Sequence, residues 1–161
     1  AKEGDMVTIK GLNHVVLWVR DAQRSMAFYR DVLGFKPKEG SHPQRVFMQA
    51  NGSDNHHDLG LFGIGTDAHG IPHGRHVGMY HVAWELADVE HVKEARDRLI
   101  AAGGYVGEND HGNSLSIYGQ DPDGNEFEVF WAIPQEEWDT RGQFNRPLDI
   151  EGEIARRKAA V

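Results

Sequence analysis

Leu12-Asn13-His14-Val15-Val16-Leu17-Trp18-Val19-Arg20-Asp21 and Met79-Tyr80-His81-Val82-Ala83-Trp84-Glu85-Leu86-Ala87-Asp88 are two versions of one pattern. His14 and His81 stand 67 residues apart, and so do Asp21 and Asp88. Each segment alternates and is rich in β-branched or aromatic residues, which predicts a strand. Each ends in an Asp suited to cap a helix. The chain repeats itself once.

The residues after each copy extend the repeat. A helix is expected over Ala22–Leu33, with Met26, Tyr29 and Leu33 inward and a stop at Gly34. A second is expected over Val89–Ala102, with Val92, Ala95 and Leu99 inward and a stop at Gly103-Gly104. Three short strands come after each helix, near Phe35–Lys38, Arg45–Ala50 and Asp58–Phe62, then near Tyr105–Glu108, Ser114–Gly119 and Asn125–Trp131. The pattern predicts one domain over 1–161, built from βαβββ twice. Module one covers 8–62, a Gly- and His-rich linker 63–78, module two 79–132, and an acidic tail 134–161 with a helix candidate at Ile150–Ala160. A unit of this size cannot close a core alone. The expected class is α+β, with the paired modules forming one curved, partly closed mixed β-sheet barrel around a metal cleft. The tail could cover the cleft, pack on a partner subunit, or fray.

Composition narrows the function. The chain is 39% hydrophobic and 26% charged, and no apolar run reaches membrane length. Seventeen basic against 25 acidic residues give a net charge of −8, which argues against a nucleic-acid surface. Cysteine is absent, so any metal must sit on nitrogen and oxygen. The opening Ala1-Lys2-Glu3-Gly4-Asp5 lacks the apolar core of a secretory signal, and a cytoplasmic location is the expectation.

Strand alternation puts His14 on one face with Leu12, Val16 and Trp18, and His81 with Met79, Ala83 and Glu85. Glu128 comes after the tight Asp121-Pro122-Asp123-Gly124 turn, and aligning the last strands matches it with Gly60. Two imidazoles and one carboxylate are a ligand set that leaves positions open on a ferrous ion. Glycine at 60 removes a fourth ligand and should leave room beside it. Taken singly, a strand histidine is more often structural and a glutamate beside a turn is usually solvated. The duplication shifts the balance, because equivalent positions of a pseudo-symmetric fold converge.

At these residues the chain resembles the vicinal oxygen chelate superfamily. The signs are His14, Ala27-Phe28-Tyr29-Arg30-Asp31-Val32-Leu33-Gly34-Phe35, and Asp121-Pro122-Asp123-Gly124-Asn125. Within it, His111, Ile117, Tyr118, Asp121, Pro122, Gly124 and Glu128 are similar to the run of the type I extradiol ring-cleaving dioxygenases. His57-Asp58-Leu59-Gly60-Leu61 resembles the strand that holds their acid/base histidine. The short architecture is similar to the one-domain members, though the stretch between His57 and His81 is long for the type.

The resemblance implies that His14, His81 and Glu128 hold Fe(II), or Mn(II), and that a catechol and O2 react there. It implies acid/base work for His57, with His56 the fallback because alternation from Gly60 favours it. Tyr118 would steady an oxygen of the substrate, and His111 would hydrogen-bond it. His69, His73 and His76 read as surface residues of the linker. A homodimer or larger homo-oligomer is expected. Two alternatives stay open: a Mn(II)-dependent thiol transferase of the fosfomycin-resistance kind, and a bleomycin-binding type module without catalysis.

Overall fold

The computed structural model describes residues 7–40, 42–72, 74–142 and 145–160. Its order is β1 (Val15–Val19), α1 (Ala22–Leu33), β2 (Lys36–Pro37), β3 (Arg45–Gln49), β4 (Leu59–Gly63), β5 (Val82–Glu85), α2 (Val89–Ala101), β6 (Tyr105–Asp110), β7 (Ser114–Gln120), β8 (Glu126–Ala132), α3 (Trp138–Arg141) and α4 (Ile150–Ala159). Both βαβββ units are present. No helix among the described residues is long and apolar enough to cross a membrane.

Local chemistry sets the helix ends. Asp21 accepts a hydrogen bond from the Gln23 amide at 2.9 Å, satisfying a free N–H of the first turn of α1. Gly34 closes that helix at φ 74°, where its amide donates to Arg30 O. The repeat predicts the same cap from Asp88 for α2, but Asp88 makes no side-chain cap. Its carboxylate turns instead toward His91 Nδ1, 4.0 Å away. The buried face of α1 is Ala22, Ser25, Tyr29 and Val32, with Met26 and Leu33 only partly covered at its margin. The face is thus rotated by about one residue from the expected one. In α2 the expected Val92, Ala95 and Leu99 are buried, joined by Val89.

The repeat predicts all eight strands in one curved, partly closed barrel. Backbone hydrogen bonds instead gather them into two separate four-stranded sheets, β1-β4-β3-β2 and β5-β8-β7-β6. In each the first strand runs parallel to the fourth and antiparallel pairs complete the sheet. The halves meet through helices, rings and loops. Tyr29 donates to Asp121 at 3.4 Å, Phe28 and Tyr29 pack on Phe127, and Phe35 meets Trp84 edge-on at 5.1 Å. Arg20 pairs with Asp123 at 3.0 Å.

The tail packs on the second module of its own chain, which is none of the three expected fates. Asp110 and Arg146 form an antiparallel bridge beside β6, and Leu148 and Ile150 are buried. Buried Glu153 accepts from Arg141 and Arg156 and pairs with Arg157. His69 and His76 are not buried, and His73 lies outside the described residues.

Candidate metal and catalytic site

Register shows what the repeat built. In the first sheet Val16 lies opposite Gly60, and in the second Ala83 lies opposite Glu128. Gly60 and Glu128 therefore hold equivalent positions, as aligned. The room expected beside Gly60 is filled, however. A Cβ there would lie 3.2 and 3.3 Å from the two Val16 methyls and 3.6 Å from Phe47. In the second sheet the neighbour is a small alanine, which leaves the Glu128 side chain free to stand on that face.

Glu128 is the centre of the first cluster. His81, just before β5, places Nε2 3.3 Å from Glu128 Oε2, with side-chain exposures of 25% and 13%. Ligand atoms about 2.1 Å from one ion and roughly 90–110° apart sit about 3.0–3.4 Å from each other, so this pair fits a shared cation. His81 Nδ1 is buried without a hydrogen-bond partner among the described residues. Tyr118 lies directly opposite Glu128 across β7 and β8, its ring 5.9 Å from that of His81. Burial, and then the Glu128 charge, raise the Tyr118 phenol above its usual pKa, so it keeps its proton. The Tyr118 hydroxyl and His111 Nε2 are hydrogen-bonded at 2.9 Å, and His111 Nδ1 lies 2.6 Å from Asn145 Oδ1. No motif of the sequence points to Asn145, because it belongs to the tail and reaches the site only by tertiary packing.

The second cluster is on the first sheet. His14 is exposed, its ring 4.6 Å from that of His57, which packs on Phe47 at 4.7 Å. His57 faces His14, while His56 is exposed beside it and joined to it at 3.0 Å. The alternation that favours His56 does not apply, since β4 begins only at Leu59. Burial, then the nearby His14 and His56, hold the His57 imidazole below its usual pKa. Buried Asp58 shows the opposite balance: burial pulls its carboxyl up, but bonds from Ser53, Ala50 and Asn55 outweigh this and hold it low.

That carboxylate orients His14 through two amides. Asn55 Nδ2 donates to Asp58 at 2.8 Å, so Asn55 Oδ1 is free to accept from Asn13 Nδ2 at 3.1 Å. Asn13 Oδ1 is then left for His14 Nδ1, 2.8 Å away. The chain of donors puts the proton on Nδ1 and leaves Nε2 with its lone pair on an exposed ring. A hydrogen bond that fixes one ring nitrogen so that the other can ligate is a common support for metal-binding histidines.

The expected three ligands are thus divided, with His14 on one sheet and His81 and Glu128 on the other. Among the described residues, no group of three or more His, Asp or Glu side chains is placed to hold a metal ion.

The signature of the Glyoxalase/Bleomycin resistance protein/Dioxygenase superfamily matches residues 11–129. The chain belongs to that superfamily. Over 146 residues it is 30% identical to the catechol-2,3-dioxygenase of Bacillus subtilis (strain 168), covering 88% of this chain and 50% of that protein. It is 29% identical over 161 residues to an iron-dependent extradiol dioxygenase of Rhodococcus jostii (strain RHA1), covering 94% and 49%. The chain therefore spans about half the length of these relatives. Among solved structures it is similar in fold to the fosfomycin resistance protein FosX of Listeria monocytogenes complexed with Mn(II) and sulfate. There the TM-score is 0.62 at 22% identity, covering 84% of this chain and all of that one.

Proposed function

We propose that this superfamily member is an extradiol dioxygenase that opens the ring of a catechol next to the diol, using Fe(II) and O2. The observation that carries the reading is the grouping of His81, Tyr118 and His111 around Glu128, two potential ligands beside two hydrogen-bonding groups. A thiol transferase has no evident use for the Tyr118–His111 pair. The dioxygenase relatives, one of them named iron-dependent, support the same choice.

His81 and Glu128 would hold the metal, with His14 as third ligand. Bound Fe(II) supplies an open face where catechol and dioxygen are held together, and a path for ring electrons to oxygen. Tyr118 would hold an oxygen of the substrate from β7, with His111 backing its hydroxyl. His57, its pKa lowered by burial and its ring tilted against that of His14, would accept a proton from the catechol.

His14 completes the site when a second copy of the chain presents it. His14 is exposed just before β1, an edge strand that also exposes Val16 (44%) and Trp18 (67%). The His81 side carries exposed Met79 and Tyr80, the latter at 74%. A two-fold homodimer would cover both surfaces and create two sites, each with His14 and His57 from one copy and His81, Glu128, Tyr118 and His111 from the other.

The test is anaerobic loading with Fe(II), then catechols and air. Yellow ring-fission product with matched oxygen uptake, lost in Glu128→Ala, is the expected result. Iron bound without turnover across several catechols would sink the function and leave the fold standing.

A further inference from the structure

We infer that Asn145, in the tail, is a positioning residue that sets the direction of the His111–Tyr118 hydrogen bond. The inference rests on the reading that Tyr118 faces the substrate.

The geometry is built on one buried carboxylate. Asp110 accepts the Gly112 amide at 2.9 Å, which shapes the turn carrying His111. The same side chain accepts from Arg146 Nε at 3.0 Å and Arg141 Nη2 at 3.1 Å, which pins the tail. Backbone bonds of 3.0 and 3.2 Å between Asp110 and Arg146 complete the latch. Asn145 and His111, the neighbours of Arg146 and Asp110, are thereby held face to face.

The Asn145 amide turns its oxygen toward two neighbours. Its Oδ1 lies 3.2 Å from Asn109 Nδ2, which can only donate, and 2.6 Å from His111 Nδ1. An oxygen that accepts from Asn109 and meets a ring nitrogen at hydrogen-bonding distance requires that nitrogen to carry the proton. His111 is then the Nδ1–H tautomer, and its Nε2, 2.9 Å from Tyr118, can only accept. The Tyr118 proton points to His111, and the remaining lone pairs of its oxygen face the site as acceptors. Without Asn145 the ring is free to adopt the Nε2–H tautomer. The bond then reverses, and Tyr118 presents its proton to the site instead. A residue outside the repeat thus decides whether Tyr118 receives or offers a hydrogen bond.

The experiment is long-range 1H–15N NMR of the histidine rings in the metal-free full chain at pH 8.5, with the His111 signals assigned by their loss in His111→Gln. Wild type should show the Nδ1–H tautomer. Asn145→Leu, which fills similar space but cannot accept, should shift it to Nε2–H. Asn145→Asp, which still accepts, should keep Nδ1–H. An Nε2–H ring in wild type overturns the inference even if no variant folds, as does a tautomer unmoved by Asn145→Leu. In the Fe(II)-loaded enzyme, Asn145→Leu should lower kcat about 10- to 100-fold with KM changed less, and Asn145→Asp should recover most of it. The NMR arm needs neither metal nor turnover, so it stands or falls apart from the dioxygenase reading.

Discussion

Glu128 Oε2 stands 3.3 Å from His81 Nε2, close enough for both to serve one cation. The remaining expected ligand, His14, lies with His57 on the other sheet. The arrangement gives a half-site at each of two surfaces, and this division generates the sharpest expectation.

Chains carrying His14→Ala and chains carrying Glu128→Ala should each be inactive alone. Co-refolded, they should regain activity, because one of the two sites of a mixed dimer keeps all three ligands. Up to about a quarter of wild-type activity is expected for random mixing of the two chains. No recovery, with mixed dimers verified by mass spectrometry, would place all three ligands in one chain.

Asn55→Leu breaks the chain of bonds from Asp58 to His14. It should weaken Fe(II) binding by about 10- to 100-fold, the usual cost of losing a group that orients a ligand. Calorimetric titration under nitrogen measures it. Unchanged affinity would show that His14 needs no such support.

Tyr118→Phe removes only a hydroxyl. Burial, and then the charge of Glu128, raise the phenol above its usual pKa in the metal-free chain, so the hydroxyl keeps its proton there. Metal affinity should stay within about threefold of wild type, while kcat falls about 100-fold.

Glu153 ties α4 to Arg141 within the tail, and Arg141 in turn reaches Asp110 of the second module. Burial raises its pKa, but the guanidiniums of Arg156, Arg141 and Arg157 outweigh this and hold it below the usual carboxylate range. A carboxyl lowered in the folded state contributes stability above its unfolded pKa, which is lost as pH falls through the folded value. Glu153→Gln should cost about 2–4 kcal/mol at pH 7, toward the lower end for a broken buried pair because Arg156 is largely exposed. Thermal melts from neutral pH down to about pH 3 should show the variant's deficit shrinking as the pH drops.

Much of this protein is legible along the chain. The two helices begin and end within a residue of expectation, since capping Asp, terminal Gly and apolar spacing are local signals. The inward face of α1 is less legible. Met26 and Leu33 share a helical stripe with Tyr29, but the neighbouring half of the molecule decides which side of that stripe is covered. The choice between His56 and His57 is likewise tertiary, since neither lies in a strand and Phe47 and His14 determine which ring turns inward.

The duplication, the order of the two βαβββ units and the match of Gly60 with Glu128 can be read from the chain alone, and the pairing of these two with Val16 and Ala83 bears out the match. Periodicity and capping act over a few residues, so a single chain displays them. Long-range packing alone sets the strands into two sheets, puts the Val16 methyls against Gly60, and brings Asn145 to His111. Those contacts join surfaces far apart in the chain. Alternation tells which face of a strand a residue occupies, but not which distant surface will come to meet it.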